Sequence, residues 1–118
     1  MEENVLTTYT RDGRLTLSDV AHQRNGIRFV WDGGKAESNR RKHGASFEAA
    51  CEVFFDPFVH LLSSNRIGGE DRESMIGLTE DWSMLVVVYT FREEAIRIIS
   101  ARPATTRERT LHEGTTAP

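Results

Sequence analysis

The segment Met84 to Thr90 (MLVVVYT) is apolar at nearly every position and rich in β-branched residues, which suits a central strand covered on both faces. Such a strand needs neighbours to pair with and elements to cover it. The flanking sequence supplies both. Glu73 to Thr79 (ESMIGLT) before it reads as a strand, and Ala95 to Ala101 follows as the last strand after a turn at Arg92, Glu93 and Glu94. Along that last strand Ile96, Ile98 and Ser100 alternate with Arg97 and Ile99. Val59 to Ser63 is a further short apolar run, and Asn65 to Asp71 reads as a glycine-containing acidic loop.

Upstream, Ile27 to Trp31 (IRFVW) is a compact β-type run, and Asp32 sits where a helix N-cap belongs. The first helix then spans Gly33 to His43 and closes at Gly44, with Lys35, Asn39 and Lys42 sharing one face. Ser46 caps a second helix whose Phe47, Ala50, Cys51 and Phe54 form a core-facing stripe, ended by Asp56 and Pro57. Pro103 takes the chain out of the sheet, and the capping-box spacing of Thr105 and Glu108 starts a last helix running to Gly114. The order is βαα, four strands, then α, which predicts an α+β sheet with helices packed on one face.

At 118 residues this is one domain, read as residues 27–114. Residues 1–26 form an N-terminal extension in which Arg11, Asp12, Gly13 and Arg14 suggest the turn of a short hairpin, and residues 115–118 are a tail. No apolar run approaches the roughly 18 to 20 residues of a membrane span, and no signal peptide is evident, so a cytoplasmic protein without membrane contact is expected. Cys51 is expected to be a buried, inert thiol.

The net charge of −3 argues against a protein that coats nucleic acid non-specifically. Bases nevertheless concentrate in Lys35, Arg40, Arg41 and Lys42, and again in Arg97, Arg102, Arg107 and Arg109. His22, His43, His60 and His112 lack metal-ligand spacing, and no phosphate-binding glycine loop is present, so neither a metal nor a cofactor is expected. An arginine-rich sheet edge remains. Arg72, Arg97 and Arg102 lie on or beside strands, where they must pair with acids such as Glu52 or Glu108, or face an external anion. Arginine suits bidentate phosphate recognition and stabilisation of charge on a phosphoryl oxygen.

Three blocks in order carry a resemblance: Trp31, Asp32, Lys35, Asn39, Lys42, His43, Gly44 and Phe47; Arg72 with Gly77; and Arg97, Ile98, Ser100, Ala101, Arg102, Glu108 and Arg109. Over roughly Arg28 to Glu113 the chain resembles the BrnT family of type II toxins. The resemblance implies a RelE-like fold, taken as an antiparallel-dominated sheet of about four to five strands with two N-terminal helices and one C-terminal helix. It also implies a metal-independent endoribonuclease that inhibits translation, an RNA substrate, and a BrnA-type antitoxin partner. The assembly is left open between a dimer and an antitoxin-bridged heterotetramer.

In such an enzyme the 2′-OH of RNA attacks the adjacent phosphate. Arg72, Arg97 and Arg102 are then the candidates for charge stabilisation, and His43 for proton transfer. His43 equally suits a cap on the helix C-terminus. Lys35, Lys42 and Ser100 would contact the RNA backbone, and Trp31 would stack on a base or else belong to the core. Tyr89 suits either a phenol donor or a core strand. Gly33 stands where the family often has proline, and His112 where it often has tyrosine. A non-catalytic toxin-like module that binds an antitoxin or RNA is the rival reading.

Overall fold

Four of the helix ends follow from the residues that cap them. In the computed structural model, which describes residues 4–9 and 15–116, the Asp32 side chain accepts the backbone N–H of Lys35 at 2.8 Å and opens α1 (Gly33–His43). Gly44, at φ 72°, closes it in the left-handed conformation that glycine adopts without strain. Ser46 caps α2 (Phe47–Val53) through the N–H of Ala49. The Thr105–Glu108 capping box is formed reciprocally, at 2.9 and 3.2 Å, and starts α3 (Thr106–Thr116).

The strands are β1 (Asn4–Tyr9), β2 (Leu15–Arg24), β3 (Ile27–Asp32), β4 (His60–Ile67), β5 (Glu70–Leu78), β6 (Met84–Arg92) and β7 (Ala95–Pro103). They form one sheet in the order β1-β2-β3-β7-β6-β5-β4. This corrects the expected sheet of four to five strands dominated by antiparallel pairing: it has seven strands and is mixed, because β3 runs parallel to β7. Two of the added strands, β1 and β2, come from the segment set apart as an extension, with β2 paired along β3 from Asp19–Asp32 to Arg24–Ile27. The turn residues 11–14 lie outside the described residues.

The loop expected at Asn65 to Asp71 is instead the tip of a hairpin. Gly68 and Gly69 both take positive φ, 58° and 81°, which lets β4 turn directly into β5. Its polar residues belong to an exposed edge pairing, where polarity does not signal a loop.

One face of the sheet carries Phe29 and Trp31 of β3, Leu85, Val87 and Tyr89 of β6, and Ile98 and Ala101 of β7, packed under α1 and α2 with Phe47, Ala50, Cys51 and Val53. Gly77 lies under α2: a Cβ there would stand 2.8 Å from Val53 Cγ1, so the bare backbone lets the helix approach. Cys51 is fully buried and its thiol donates to the Phe47 carbonyl; burial, foremost, pushes its pKa up. The expectation of helices on one face needs correction too. Ile76, Met84 and Val86 point the other way into a second cluster with Leu62, Leu78 and Ala104, beside which α3 contacts β4 and β5.

Where β3 leaves the sheet to become α1, the strand edge of β7 is left without a strand partner beyond Arg97. Asn39 fills that place. Its buried amide donates to the carbonyls of Ala101 (2.7 Å) and Ala45 (3.1 Å), and its oxygen accepts the N–H of Ala101 at 3.2 Å. Asn39→Ala strands these buried backbone groups, so a loss of about 2–3 kcal/mol is expected in chemical denaturation. Asn39→Asp, which lacks the amide donor, is expected to be no better.

Candidate active site

Strand alternation sorts the candidate residues onto the two faces. On the face away from α1 and α2, cross-strand registers align three rows. His60, Ile76, Val86 and Arg102 make the first, and Ser63, Ser74, Val88 and Ser100 the second. Asn65 pairs with Arg72 and Thr90 with Arg97, each one step beyond the last β5–β6 partners Glu73 and Tyr89, which makes the third, with Arg97 beside Val30 of β3. Arg72, Arg97, Ser100 and Arg102 therefore project from one face. Arg72 and Arg97 stand two strands apart, roughly 10 Å, and rows follow one another at roughly 7 Å along the strands.

Each arginine has a carboxylate partner. Arg102 makes a two-point pair with Glu108, both bonds 2.8 Å, as the sequence allowed. Glu108 is held down to about 2: the Arg102 bond is the main cause, burial opposes it, and the Thr105 N–H adds to it. Arg97 pairs with Asp19 of β2 at 3.2 and 3.3 Å. Arg72 reaches Glu70 at 3.4 Å, and Glu70 is held more tightly by Arg92 at 2.6 Å. The Arg92 bond, foremost, keeps the Glu70 carboxyl below its usual range. Glu52, named as a possible partner, instead accepts the N–H of Glu80 and lies 3.9 Å from Arg24.

Around Arg97 the face opens into a concavity of about 500 Å³ that Arg28, Val30 and Arg92 line together with Asp19, Glu93 and Glu94. Arg28 is exposed and has no hydrogen-bond or ion-pair partner among the described residues. Thr90, between Arg72 and Arg97, is buried and donates its hydroxyl to the Asp71 carbonyl at 2.6 Å.

The other expected site residues are not gathered here. Lys35 and Lys42 are exposed, and His43 half-buried, on α1, which belongs to the helical layer behind the sheet. Among the described residues, no hydrogen bond or ion pair joins any of them to the three arginines. Trp31 is corrected: it is 2% exposed and packed edge-on to Phe47, with His22 beside it, so it is a core residue without a face for a base. Tyr89 is likewise in the core; burial, foremost, raises its pKa and keeps the phenol neutral. His112 is also buried, with Nε2 2.8 Å from the Asp56 carboxylate, which makes it a clamp between α3 and the α2–β4 connection.

Sequence reasoning missed Asp19, Glu70, Arg28 and Arg92. Arg28 was readable, since alternation with Phe29 and Trp31 places it opposite the core. Asp19 was not, because its partner lies 78 residues away.

A family model described as ribonuclease toxin, BrnT, of type II toxin-antitoxin systems matches residues 31–108. Among solved structures, the ribonuclease toxin BrnT of Brucella abortus is similar at 23% identity with a TM-score of 0.44, covering 64% of this chain and 94% of that one. No curated protein matches the chain. The family match spans most of the sequence and takes in Arg72, Arg97 and Arg102, and the chain belongs to the BrnT family of ribonuclease toxins of type II toxin-antitoxin systems.

Proposed function

We propose that the arginine-bearing face binds the RNA backbone and that this chain is a metal-independent endoribonuclease that stops translation until an antitoxin covers that face. One observation carries the reading: Arg72 from β5 and Arg97 and Arg102 from β7 project from one face with Ser100, and that face opens at Arg97 into a concavity lined by two further arginines. In the proposed reaction the 2′-oxygen forms a bond to phosphorus, the bond to the 5′-oxygen breaks, and a 2′,3′-cyclic phosphate results. The 2′-OH gives up a proton and the departing 5′-oxygen takes one. Guanidinium groups aimed at the phosphoryl oxygens stabilise the charge that builds up between those steps. Of the residues expected to be catalytic only His43 carries an imidazole, the side chain most often used for proton transfer. It stands on α1 rather than beside the arginines, so charge stabilisation is the part of the mechanism that the geometry supports.

The rival, a module that binds without cutting, is favoured by one specific observation, the carboxylate partner on each of the three arginines. The open concavity, and Arg28 in its wall without a partner among the described residues, speak against it. Inducing the chain without its antitoxin separates the two. Growth arrest with RNA fragments ending in cyclic phosphate, and cleavage in vitro that survives EDTA, are the expected results. Intact RNA with unimpaired growth supports the binding module instead.

A further inference from the structure

Strand β2 lies outside the matched residues 31–108, yet it places a carboxylate on the central arginine of the proposed site. Asp19 faces Arg97 with both oxygens, each accepting from a different terminal nitrogen. That is the geometry in which arginine grips two oxygens of a phosphate. Both side chains are largely withdrawn from water, 19% and 17% exposed, so the pair is more than a solvated surface contact.

Its bonds are nevertheless long. At 3.2 and 3.3 Å they exceed the roughly 2.7–2.9 Å of a tight charge-assisted bond, whereas Arg102 and Glu108 reach 2.8 Å in both. Glu108 is also tied into its helix by the capping box. Among the described residues Asp19 has no comparable second hydrogen bond to fix it, and the concavity beside Arg97 leaves room for a second anion.

We infer that Asp19 occupies on Arg97 the place of an RNA phosphate, so that β2 gates the site and RNA must displace this carboxylate to bind. This rests on the reading of Arg97 as a phosphate-binding residue. The gate sharpens selection: a single phosphate or short fragment competes poorly with a tethered carboxylate, whereas a chain that also engages Arg28, Arg72 and Arg92 gains enough contacts to exchange it. Strand β2 does not depend on Asp19 to stay in place. Val20 packs against the core that contains Trp31, and Arg24 pairs with Glu80 and lies near Glu52.

The test is binding of a fluorescent 2′-O-methyl oligoribonucleotide, which cannot be cut, to the full chain. Asp19→Asn keeps shape and removes charge; it is expected to tighten binding about 3- to 10-fold and to steepen the salt dependence by up to one phosphate contact. In Asp19→Asn combined with Arg97→Ala the gain should vanish. Unchanged or weaker binding by folded Asp19→Asn overturns the gate, as does a gain that persists without Arg97, because that gain is only relief of general repulsion. A measurement on the unaltered protein stands beside the variants: the Asp19 carboxyl carbon resonance is expected to shift as the oligonucleotide saturates, and a fixed resonance at saturation overturns displacement. If Arg97→Ala alone changes neither binding nor cleavage, the reading of the site fails rather than the gate.

Discussion

Arg97→Ala is expected to lower RNA cleavage by about 10²–10³-fold, the usual cost of removing one donor aimed at charge that develops in a transition state. Arg97 is singled out because it stands at the centre of the face, beside the concavity and two strands from Arg72. Arg97→Lys retains the charge but not the planar two-point grip, so it is expected to recover only part of the loss. The fold should withstand both changes. Asp19 loses its partner while still 17% exposed, which is expected to cost on the order of 1 kcal/mol. A single-turnover cleavage assay on protein checked by thermal melt gives the decisive comparison. Full activity in Arg97→Ala would remove the residue from the mechanism and leave Arg102 and Arg72 to account for any cleavage.

Arg102 differs from Arg97 in a way that bears on its role. Its two-point pair with Glu108 is tight, and the same carboxylate holds the N–H of Thr105. One glutamate thus closes the capping box of α3 and fixes an arginine at the end of β7. Because the folded Glu108 sits at about 2, below its ordinary 4.5, it contributes stability that is complete above about pH 4.5 and is lost as pH falls toward 2. Positioning of Arg102 should weaken over the same window.

Local chemistry was legible in the sequence and long-range pairing was not. Asp32, Gly44, Ser46 and the Thr105–Glu108 box act within four residues of themselves, so their spacing alone predicted the helix ends that they make. The apolar run at Met84 to Thr90 marked an interior strand, β6, for a similar reason, since its residues report their own burial, whereas the middle place in the sheet belongs to β7. Trp31 shows the limit. Its ring suits stacking on a base or packing in a core, and only the docking of Phe47 decides for the core. The parallel pairing of β3 with β7 and the reach of Asp19 to Arg97 join residues more than 60 positions apart, and nothing local announces either. The arginines could be named as a group because charge on a β-segment demands a partner. Which partner each takes depends on the register, and the docking of α1 on the other face of the sheet sets Lys35, Lys42 and His43 in a different layer.

Asp56→Ala is expected to be the most damaging single substitution for stability, costing about 3–5 kcal/mol as the breaking of a buried pair does. Asp56 follows α2 and was readable only as a helix stop. In the fold its carboxylate accepts the N–H of Leu78 at 2.8 Å and of Phe58 at 3.0 Å, and meets His112 Nε2 at 2.8 Å. The two side chains are 5% and 3% exposed. Three elements therefore meet on one carboxylate: the end of β5, the approach to β4, and α3. Burial alone would raise the Asp56 pKa, but the N–H groups of Leu78 and Phe58 and the His112 ring outweigh it and the carboxyl lies below its usual value. A lowered folded pKa means that its contribution is present above the unfolded value near 4 and is lost as pH falls through the folded one. Against a total stability of about 5–15 kcal/mol the alanine variant is close to unfolding, with a melting temperature expected to drop by roughly 10–20 °C. Asp56→Asn keeps an oxygen for one N–H and should lose about half as much. His112→Phe removes a single donor and leaves the carboxylate satisfied by the backbone, so a smaller loss is expected there. Cleavage per folded molecule should stay unchanged in all three, because the clamp touches none of the arginines; a drop in that quantity would tie α3 to the chemistry through Glu108 and Arg102.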